Sequence, residues 1–203
     1  MTDLDSALQH VARIRDQLAA STRFQGFAPA IVAVTGGLAF ALAVYQSVSG
    51  EPADDPRLAL VQWIALAVIC TALIGTEAVI RARRFHRAMA DTMVTTTLRR
   101  FLPAGAAGAI IGIVVMVRAP EQAWVLPVLW QLLIAVGTCA SLVNLPRQMA
   151  WAAAWYFLAG AASLLWMSAA SAFSPWSMGL PFGIGQLLVA LLLHRAARST
   201  SHD

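Results

Sequence analysis

Six stretches of this chain consist almost entirely of apolar residues. They cover residues 28–47, 58–80, 103–118, 122–143, 148–168 and 176–195. A transmembrane helix needs roughly 20 apolar residues, because it rises about 1.5 Å per residue across a hydrocarbon core about 30 Å thick. The pattern therefore predicts an all-α, polytopic membrane protein with six transmembrane helices.

Short polar connectors separate these stretches, and several contain a proline that discourages a helix from continuing. The proline-containing connectors are SGEPADDPR (49–57), APEQ (119–122), NLPRQ (144–148) and SAFSPW (171–176). Short connectors join antiparallel neighbours, so we expect three helical hairpins that form a single domain over residues 1–203.

Composition agrees with this class of protein. Of 203 residues 59% are hydrophobic and 12% are charged, with a mean hydropathy of +0.69. Soluble domains are nearer one quarter charged. The N-terminus lacks the apolar core of a signal peptide, so we expect the chain to insert through its own helices.

Arginine predicts the orientation. All fourteen basic residues are arginines, and only Arg57 and Arg118 fall on one side of the predicted bundle. The positive-inside rule makes the arginine-rich side cytoplasmic and places both termini there, in a bacterial inner membrane. Four tryptophans near the opposite helix ends suggest an aromatic belt at the outer interface. They are Trp63, Trp124, Trp166 and Trp176.

Two segments outside the spans have a helical pattern. Within residues 1–27, apolar side chains recur every three or four positions, which predicts an amphipathic helix on the cytoplasmic leaflet or on the bundle. Residues 81–102 predict a helical elbow rich in arginine. Its arginines are Arg81, Arg83, Arg84, Arg87, Arg99 and Arg100. They suit either anionic lipid headgroups or an acidic region of a cytoplasmic regulatory protein.

Glu77 is the one carboxylate within a predicted span, and it lies near the end of that span. Counted from Leu58, it lies about 30 Å along the helix, at the cytoplasmic boundary. Arg81 follows four positions later, which favours an interfacial ion pair. If Glu77 instead faced the bundle, it would be desolvated and could carry a proton or bind a cation.

The midplane contains polar and aromatic side chains but no charge. They are Trp130 and Gln131 in the fourth span, Trp155 in the fifth and Gln186 in the sixth. Two amides in hydrocarbon need partners, so the first interpretation is a hydrogen bond between Gln131 and Gln186. The second is a small polar-aromatic pocket for a neutral or lipophilic ligand.

Glycine pairs four residues apart mark two helix faces where backbones can approach closely. They are Gly108 with Gly112 and Gly179 with Gly183. We expect tight packing within the chain, with a homo-oligomer interface as the alternative.

Metal and cofactor chemistry is not expected from this sequence. The two cysteines, Cys70 and Cys139, lie in separate apolar stretches, where a thiol behaves as a small hydrophobe. None of the four histidines lies deep in a span, where a haem would need an axial pair. We also find no paired carboxylates and no HExxH motif within a span. The sequence therefore predicts a protein that is not an enzyme and does not contact nucleic acid directly.

Several segments together resemble an uncharacterised family of bacterial six-span membrane proteins. They are RIRDQLAASTRFQGFAPAIVAVTGGLAF, RARRFHRAM, LRRFLPAGAAG, CASLVNLPRQMAWAAAWYFLAGA and PWSMGLPFGIGQLLVALLLHR. The resemblance implies a single six-helix domain of the inner membrane, with no activity assigned to any residue. Members of the family often lie beside a small winged-helix regulator, which implies a regulatory role by association.

Two classes of function remain from the sequence. The first is a non-enzymatic sensory or regulatory module that presents the basic face of residues 81–100 and the amphipathic N-terminus. The second is a small transporter or channel for a neutral or lipophilic molecule, with Glu77 as a candidate proton or cation site.

Overall fold

The described part of the chain is helical and contains no strands. The computed structural model describes residues 28–50, 55–85, 90–142, 145–166 and 174–199. Its helices are α1 (Pro29–Ser49), α2 (Pro56–Phe85), α3 (Ala90–Arg118), α4 (Leu126–Ser141), α5 (Ala150–Trp166) and α6 (Trp176–Ser199). Two 3-10 turns, Pro120–Val125 and Arg147–Met149, lead into α4 and α5. The predicted N-terminal amphipathic helix lies outside the described residues.

Within the described residues, five segments are long and apolar enough to cross a membrane. They are Pro29–Ser49, Arg57–Ile80, Phe101–Arg118, Pro120–Ser141 and Trp176–Ala196. Helix α5 is apolar throughout and has 17 residues, at the lower limit for a spanning helix. For the described residues the structure therefore confirms the prediction of an all-helical fold with several potential membrane spans.

Turn chemistry explains where α1 ends and α2 begins. Gly50 follows α1 with φ +73°, a left-handed conformation that glycine adopts without a Cβ penalty. Asp55 Oδ1 then accepts the backbone N–H groups of Arg57 at 3.0 Å and of Leu58 at 3.1 Å. Pro56 takes the first helical position, where its missing N–H costs nothing. Asp55 is thus the N-cap of α2.

Helices α2 and α3 are longer than the spans they contain. With 30 residues α2 measures about 45 Å, against about 30 Å for the hydrocarbon core. Residues 81–85 and 90–102 are helical, and α3 continues through Pro103. Both helices therefore extend beyond the membrane thickness at the same connection.

The six described helices form a closed circuit. Each helix contacts the next one in sequence, and α1 contacts α6. The most extensive contact in the described bundle is the one between α1 and α6, the first and last helices. Helix α4 also contacts α6, which lies across the circuit from it.

Two clusters of buried apolar residues form the core, one near each end. The Trp63 cluster contains Ala39, Ala43, Ala59, Leu60, Trp63, Ala123, Leu126 and Met178. The Val32 cluster contains Val32, Leu145, Met149, Ala152, Ala190, Leu192 and Leu193. We call the end beside the Trp63 cluster the Asp55 end, because α2 begins there.

The opposite end carries several exposed arginines, and we call it the arginine end. Arg147 lies in the turn before α5, and Arg195 and Arg198 lie in the last turns of α6. Arg99 belongs to the same end, because the neighbouring Phe101 packs against Gly137 near the end of α4. At the Asp55 end the described arginines are Arg57 and Arg118, both exposed.

Small residues form the seam between α1 and α6. A Cβ added to Gly179 would collide with the Cβ of Ala43, and one added to Gly183 would collide with the ring of Phe40. A Cβ added to Gly36 would stand 3.0 Å from the carbonyl oxygen of Gly183. The two backbones thus approach as closely as the missing side chains allow, so the Gly179–Gly183 pair packs within the chain.

Exposure divides the circuit into two unequal parts. Only 17% of the α2 span and 11% of the α3 span are buried, against 44% for α6. Their exposed side chains are largely apolar, as expected for helices that face lipid. Trp63 is an exception to the predicted aromatic belt, because it is a buried core residue whereas Trp176 is exposed.

The glycine seam can be tested with single methyl groups. We expect Gly179→Ala to lower stability by about 1–3 kcal/mol, because α1 must move away from the added Cβ. Gly37→Ala is the matched control, since a Cβ there meets nothing within 4 Å and alanine favours the helix. Thermal unfolding in detergent micelles measures both. Equal midpoints for the two variants would contradict the seam.

Candidate functional site

Helix α6 exposes a backbone carbonyl inside the bundle, and Gln131 binds it. Pro181 has no N–H, so the carbonyl of Ser177, four residues earlier, loses its usual intrahelical donor. Gln131 Nε2 of α4 donates to this oxygen at 2.9 Å. The proline therefore creates the acceptor that the buried amide needs.

Two aromatic residues of α5 continue this contact along α6. Trp155 Nε1 donates to the carbonyl oxygen of Pro181 at 2.9 Å. Tyr156, which is 1% exposed, lies against Gly185, and its ring is tilted 54° to that of Phe182. Gln131, Trp155 and Tyr156 thus contact positions 177, 181 and 185, which recur at four-residue intervals along one face of α6. We call this set the polar row.

Two buried atoms of the polar row have no hydrogen-bond partner among the described residues. They are Gln131 Oε1 and the hydroxyl of Tyr156. An unsatisfied buried polar group costs about 1–3 kcal/mol. The row therefore holds α4, α5 and α6 together with hydrogen bonds that are incomplete at two points.

The predicted hydrogen bond between Gln131 and Gln186 is wrong. Gln131 uses its amide nitrogen on Ser177, and its amide oxygen is without a partner in the described structure. Gln186 lies on another face of α6, where its Cβ is 3.1 Å from the position of an added Cβ on Gly36. Helix α6 thus presents Gln186 toward α1 and the polar row toward α4 and α5.

Trp130 also faces away from the polar row. Its Nε1 donates to the carbonyl oxygen of Gly108 at 3.1 Å. Its ring covers Gly108 and Gly112, which shows that this glycine pair packs within the chain. The structure therefore brings Gln131 and Trp155 together against α6, whereas Trp130 contacts α3 and Gln186 is turned toward α1. A homo-oligomer through either glycine pair stays a prediction.

Glu77 is half-buried on α2. Arg81 belongs to the same helix, but its side chain lies outside the described residues, so the ion pair between them stays a prediction. Of the other elbow arginines, Arg99 is exposed. Nothing is described of the side chains of Arg83, Arg84, Arg87 and Arg100.

A second polar cluster, absent from the sequence interpretation, joins α1 to α2. Gln46 is 1% exposed, and its Nε2 donates to Gln62 Oε1 at 2.7 Å and to the Ala59 carbonyl at 3.0 Å. Its Oε1 accepts the indole N–H of Trp63 at 2.8 Å. Two glutamines in neighbouring apolar helices, on either side of one connector, were the signal in the sequence.

A cleft opens at the Asp55 end, beside this cluster. Its volume is about 260 Å³, and it lies between the start of α2, the end of α3 and the turn before α4. The lining residues are Asp55, Arg57, Leu60, Met116, Pro120 and Ala123. The cleft thus combines one acidic and one basic side chain with four apolar ones.

Metal-binding geometry is absent from the described residues, where no three His, Cys, Asp or Glu side chains form a group. Cys70 and Cys139 are free thiols on α2 and α4.

The link between Pro181 and Gln131 can be measured with a double-mutant cycle. We expect Gln131→Leu to cost about 1 kcal/mol, because Ser177 loses its donor. In a Pro181→Ala background the cost should shrink, since the alanine N–H can reach the Ser177 carbonyl. Gln131→Leu combined with Gln186→Leu is the control and should be additive. The same cost in both position-181 backgrounds would refute the link.

No protein-family model matches this chain, and neither does any curated protein or any solved structure. Membership of the bacterial six-span family that the sequence resembles therefore stays a prediction. The residues and contacts of this chain are therefore the basis for its proposed function.

Proposed function

We propose that this protein is a non-enzymatic sensory or regulatory module of the bacterial inner membrane. In this proposal the closely packed membrane bundle receives a signal, and its arginine end passes that signal to the cytoplasm. The alternative, a small transporter or channel, requires a path through the same bundle.

The proposal rests on one observation, that aromatic rings pack against glycines of neighbouring helices. Trp130 covers Gly112, the ring of Phe40 packs against Gly183, and Tyr156 packs against Gly185. Three helix interfaces are filled in this way, between α3 and α4, α1 and α6, and α5 and α6. Close-packed protein interiors respond to strain by discrete shifts and transmit it between helices. That behaviour suits a signalling bundle better than an open conduit.

The proposed topology has three hairpins with both termini in the cytoplasm. Contacts between successive helices and the exposed arginines at one end support it. At the Asp55 end the described charges balance, because Asp55 and Glu121 accompany Arg57 and Arg118. The positive-inside rule then places the arginine end in the cytoplasm.

The proposed output surface is the arginine end with the helical extensions of α2 and α3. These extensions project beyond a span about 30 Å thick, so they can contact a cytoplasmic regulatory protein as well as lipid headgroups. Anionic headgroups contribute about 1 kcal/mol per arginine near the surface. Lipid headgroups would thus hold the arginine end in place, and a cytoplasmic regulatory protein would respond to the position of that end.

Topology can be checked with single cysteines in a chain whose Cys70 and Cys139 are replaced by alanine. We expect Glu121→Cys to react with an impermeant thiol reagent added outside intact cells, and Arg147→Cys to react only after the cells are opened. Both positions are exposed and lie at opposite ends of the bundle. The reverse pattern would overturn the orientation.

The regulatory role can be separated from transport in two measurements. A photo-crosslinking residue at position 99 should yield a discrete protein adduct in cells, whereas the same residue at the exposed position 118 should not. Vesicles containing the purified protein should be no more permeable to glycerol than protein-free vesicles.

A raised glycerol permeability would favour the transporter. Equal labelling from positions 99 and 118 would remove the support for an output surface at the arginine end. A Gly179→Ala variant provides the matched control for permeability, because loosened packing would raise leakage without a transport function.

A further inference from the structure

We propose that the cleft at the Asp55 end is a binding site for a zwitterionic phospholipid with a phosphoethanolamine headgroup. The proposal goes beyond the regulatory function and does not depend on it. It rests on the charges at the mouth of the cleft, on its apolar floor, and on exposed apolar side chains close to it in sequence.

The two charged side chains are placed for a ligand that carries both signs. Asp55 Oδ1 accepts two backbone N–H groups, which fixes the carboxylate at the start of α2. Arg57 lies two residues further on, and both side chains line the same cleft and are exposed. A guanidinium binds phosphate through paired hydrogen bonds, and a carboxylate accepts from a primary ammonium.

Local charge argues against a purely anionic lipid. The Asp55 carboxylate lines the same cleft as Arg57. An anionic headgroup would meet Arg57 but would be repelled by the Asp55 carboxylate in the same cleft. A headgroup that adds an ammonium group to its phosphate complements both signs.

The floor of the cleft is apolar. Leu60 and Ala123 are buried, and Met116 and Pro120 are half-buried. Methionine adapts its shape to irregular apolar ligands. A volume of about 260 Å³ is smaller than the roughly 300–1,000 Å³ of most ligand pockets. The cleft therefore holds a headgroup and the first part of an acyl chain, and the rest of the lipid lies outside it.

Exposed apolar side chains lie next in sequence or nearly so to the cleft-lining residues on both helices. On α2 they include Leu58 and Val61, and on α3 they include Val114 and Val117. Both helices bury little of their spans within the bundle. Acyl chains can thus follow these helices into the hydrocarbon, which favours a lipid over a soluble molecule with the same headgroup.

The test uses the full-length protein in detergent and measures lipid binding by native mass spectrometry. The probes are phospholipids with identical acyl chains and phosphoethanolamine, phosphocholine or phosphoglycerol headgroups. We expect the phosphoethanolamine lipid to bind most tightly, because its ammonium group can donate hydrogen bonds and the quaternary ammonium of phosphocholine cannot.

Two charge-removing variants locate the site. Asp55→Asn retains an oxygen that can cap α2, and Arg57→Gln retains a polar side chain of similar length. Each should weaken binding of the phosphoethanolamine lipid about tenfold, the effect of one lost charge-assisted hydrogen bond. Arg118→Gln is the matched control, because Arg118 is exposed at the same end but does not line the cleft. Thermal midpoints without added lipid verify that all three variants fold.

Each remaining outcome contradicts the proposal. Tighter binding of the phosphoglycerol lipid, lost only in Arg57→Gln, would identify an anionic-lipid site. Equal binding of the three lipids, or an equal loss in Arg118→Gln, would show nonspecific association. Soluble phosphoethanolamine can be added as a competitor of the phosphoethanolamine lipid. If it displaced the lipid as well as an equal concentration of the lipid itself does, the apolar floor would not hold an acyl chain.

Discussion

Closure of the helix circuit depends on the contact between the first and last helices. Helices α1 and α6 lie far apart in sequence, so their association has to offset the entropy of closing a long chain. Water provides no hydrophobic driving force inside a bilayer, and close van der Waals packing has to replace it. The seam achieves this with Gly179 and Gly183 on α6, which admit Ala43 and Phe40 of α1 to the helix surface. Helix α6 also contacts α4 and α5, and the seam holds it against α1 while it does so.

With α6 held in this way, its other faces become binding surfaces for α4 and α5. Pro181 interrupts the hydrogen bonding of α6 within the first two turns, and the freed Ser177 carbonyl accepts from Gln131. A carbonyl without its intrahelical donor inside the bundle needs another donor, and the side chain of Gln131 on a neighbouring helix provides it. Helix α6 therefore packs against α1 through glycines, which have no side chain. On another face it accepts a hydrogen bond from α4, because Pro181 has no N–H. Tyr156 and Gln131 Oε1 show that this arrangement leaves polar atoms of the described core without partners.

The sequence predicts the coarse fold well, because hydrophobic length and proline-containing connectors report directly on membrane insertion. The all-helical class was predicted, and the described helices begin and end near the predicted connectors. The sites were less predictable, because hydrophobic patterns do not show which neighbour a helix face meets. Their similar depth in the sequence predicts a pair between Gln131 and Gln186. In the structure Gln131 instead donates to the Ser177 carbonyl that Pro181 leaves free, and Gln186 lies beside α1. Trp63 was assigned to an interfacial belt by its depth, yet Gln46 holds its indole N–H inside the bundle.

The uneven burial of the helices links these contacts to function. Helices α4 and α6 are fixed on several sides, whereas α2 and α3 bury little of their spans and meet the surrounding lipid. Few buried contacts mean that α2 and α3 can move at a lower energetic cost than the rest of the bundle. The cleft lies between their ends at the Asp55 end of the bundle, and their helical extensions lie at the arginine end. A lipid bound between Arg57 and Met116, as proposed, would thus contact the two helices whose spans are the least buried of the five described.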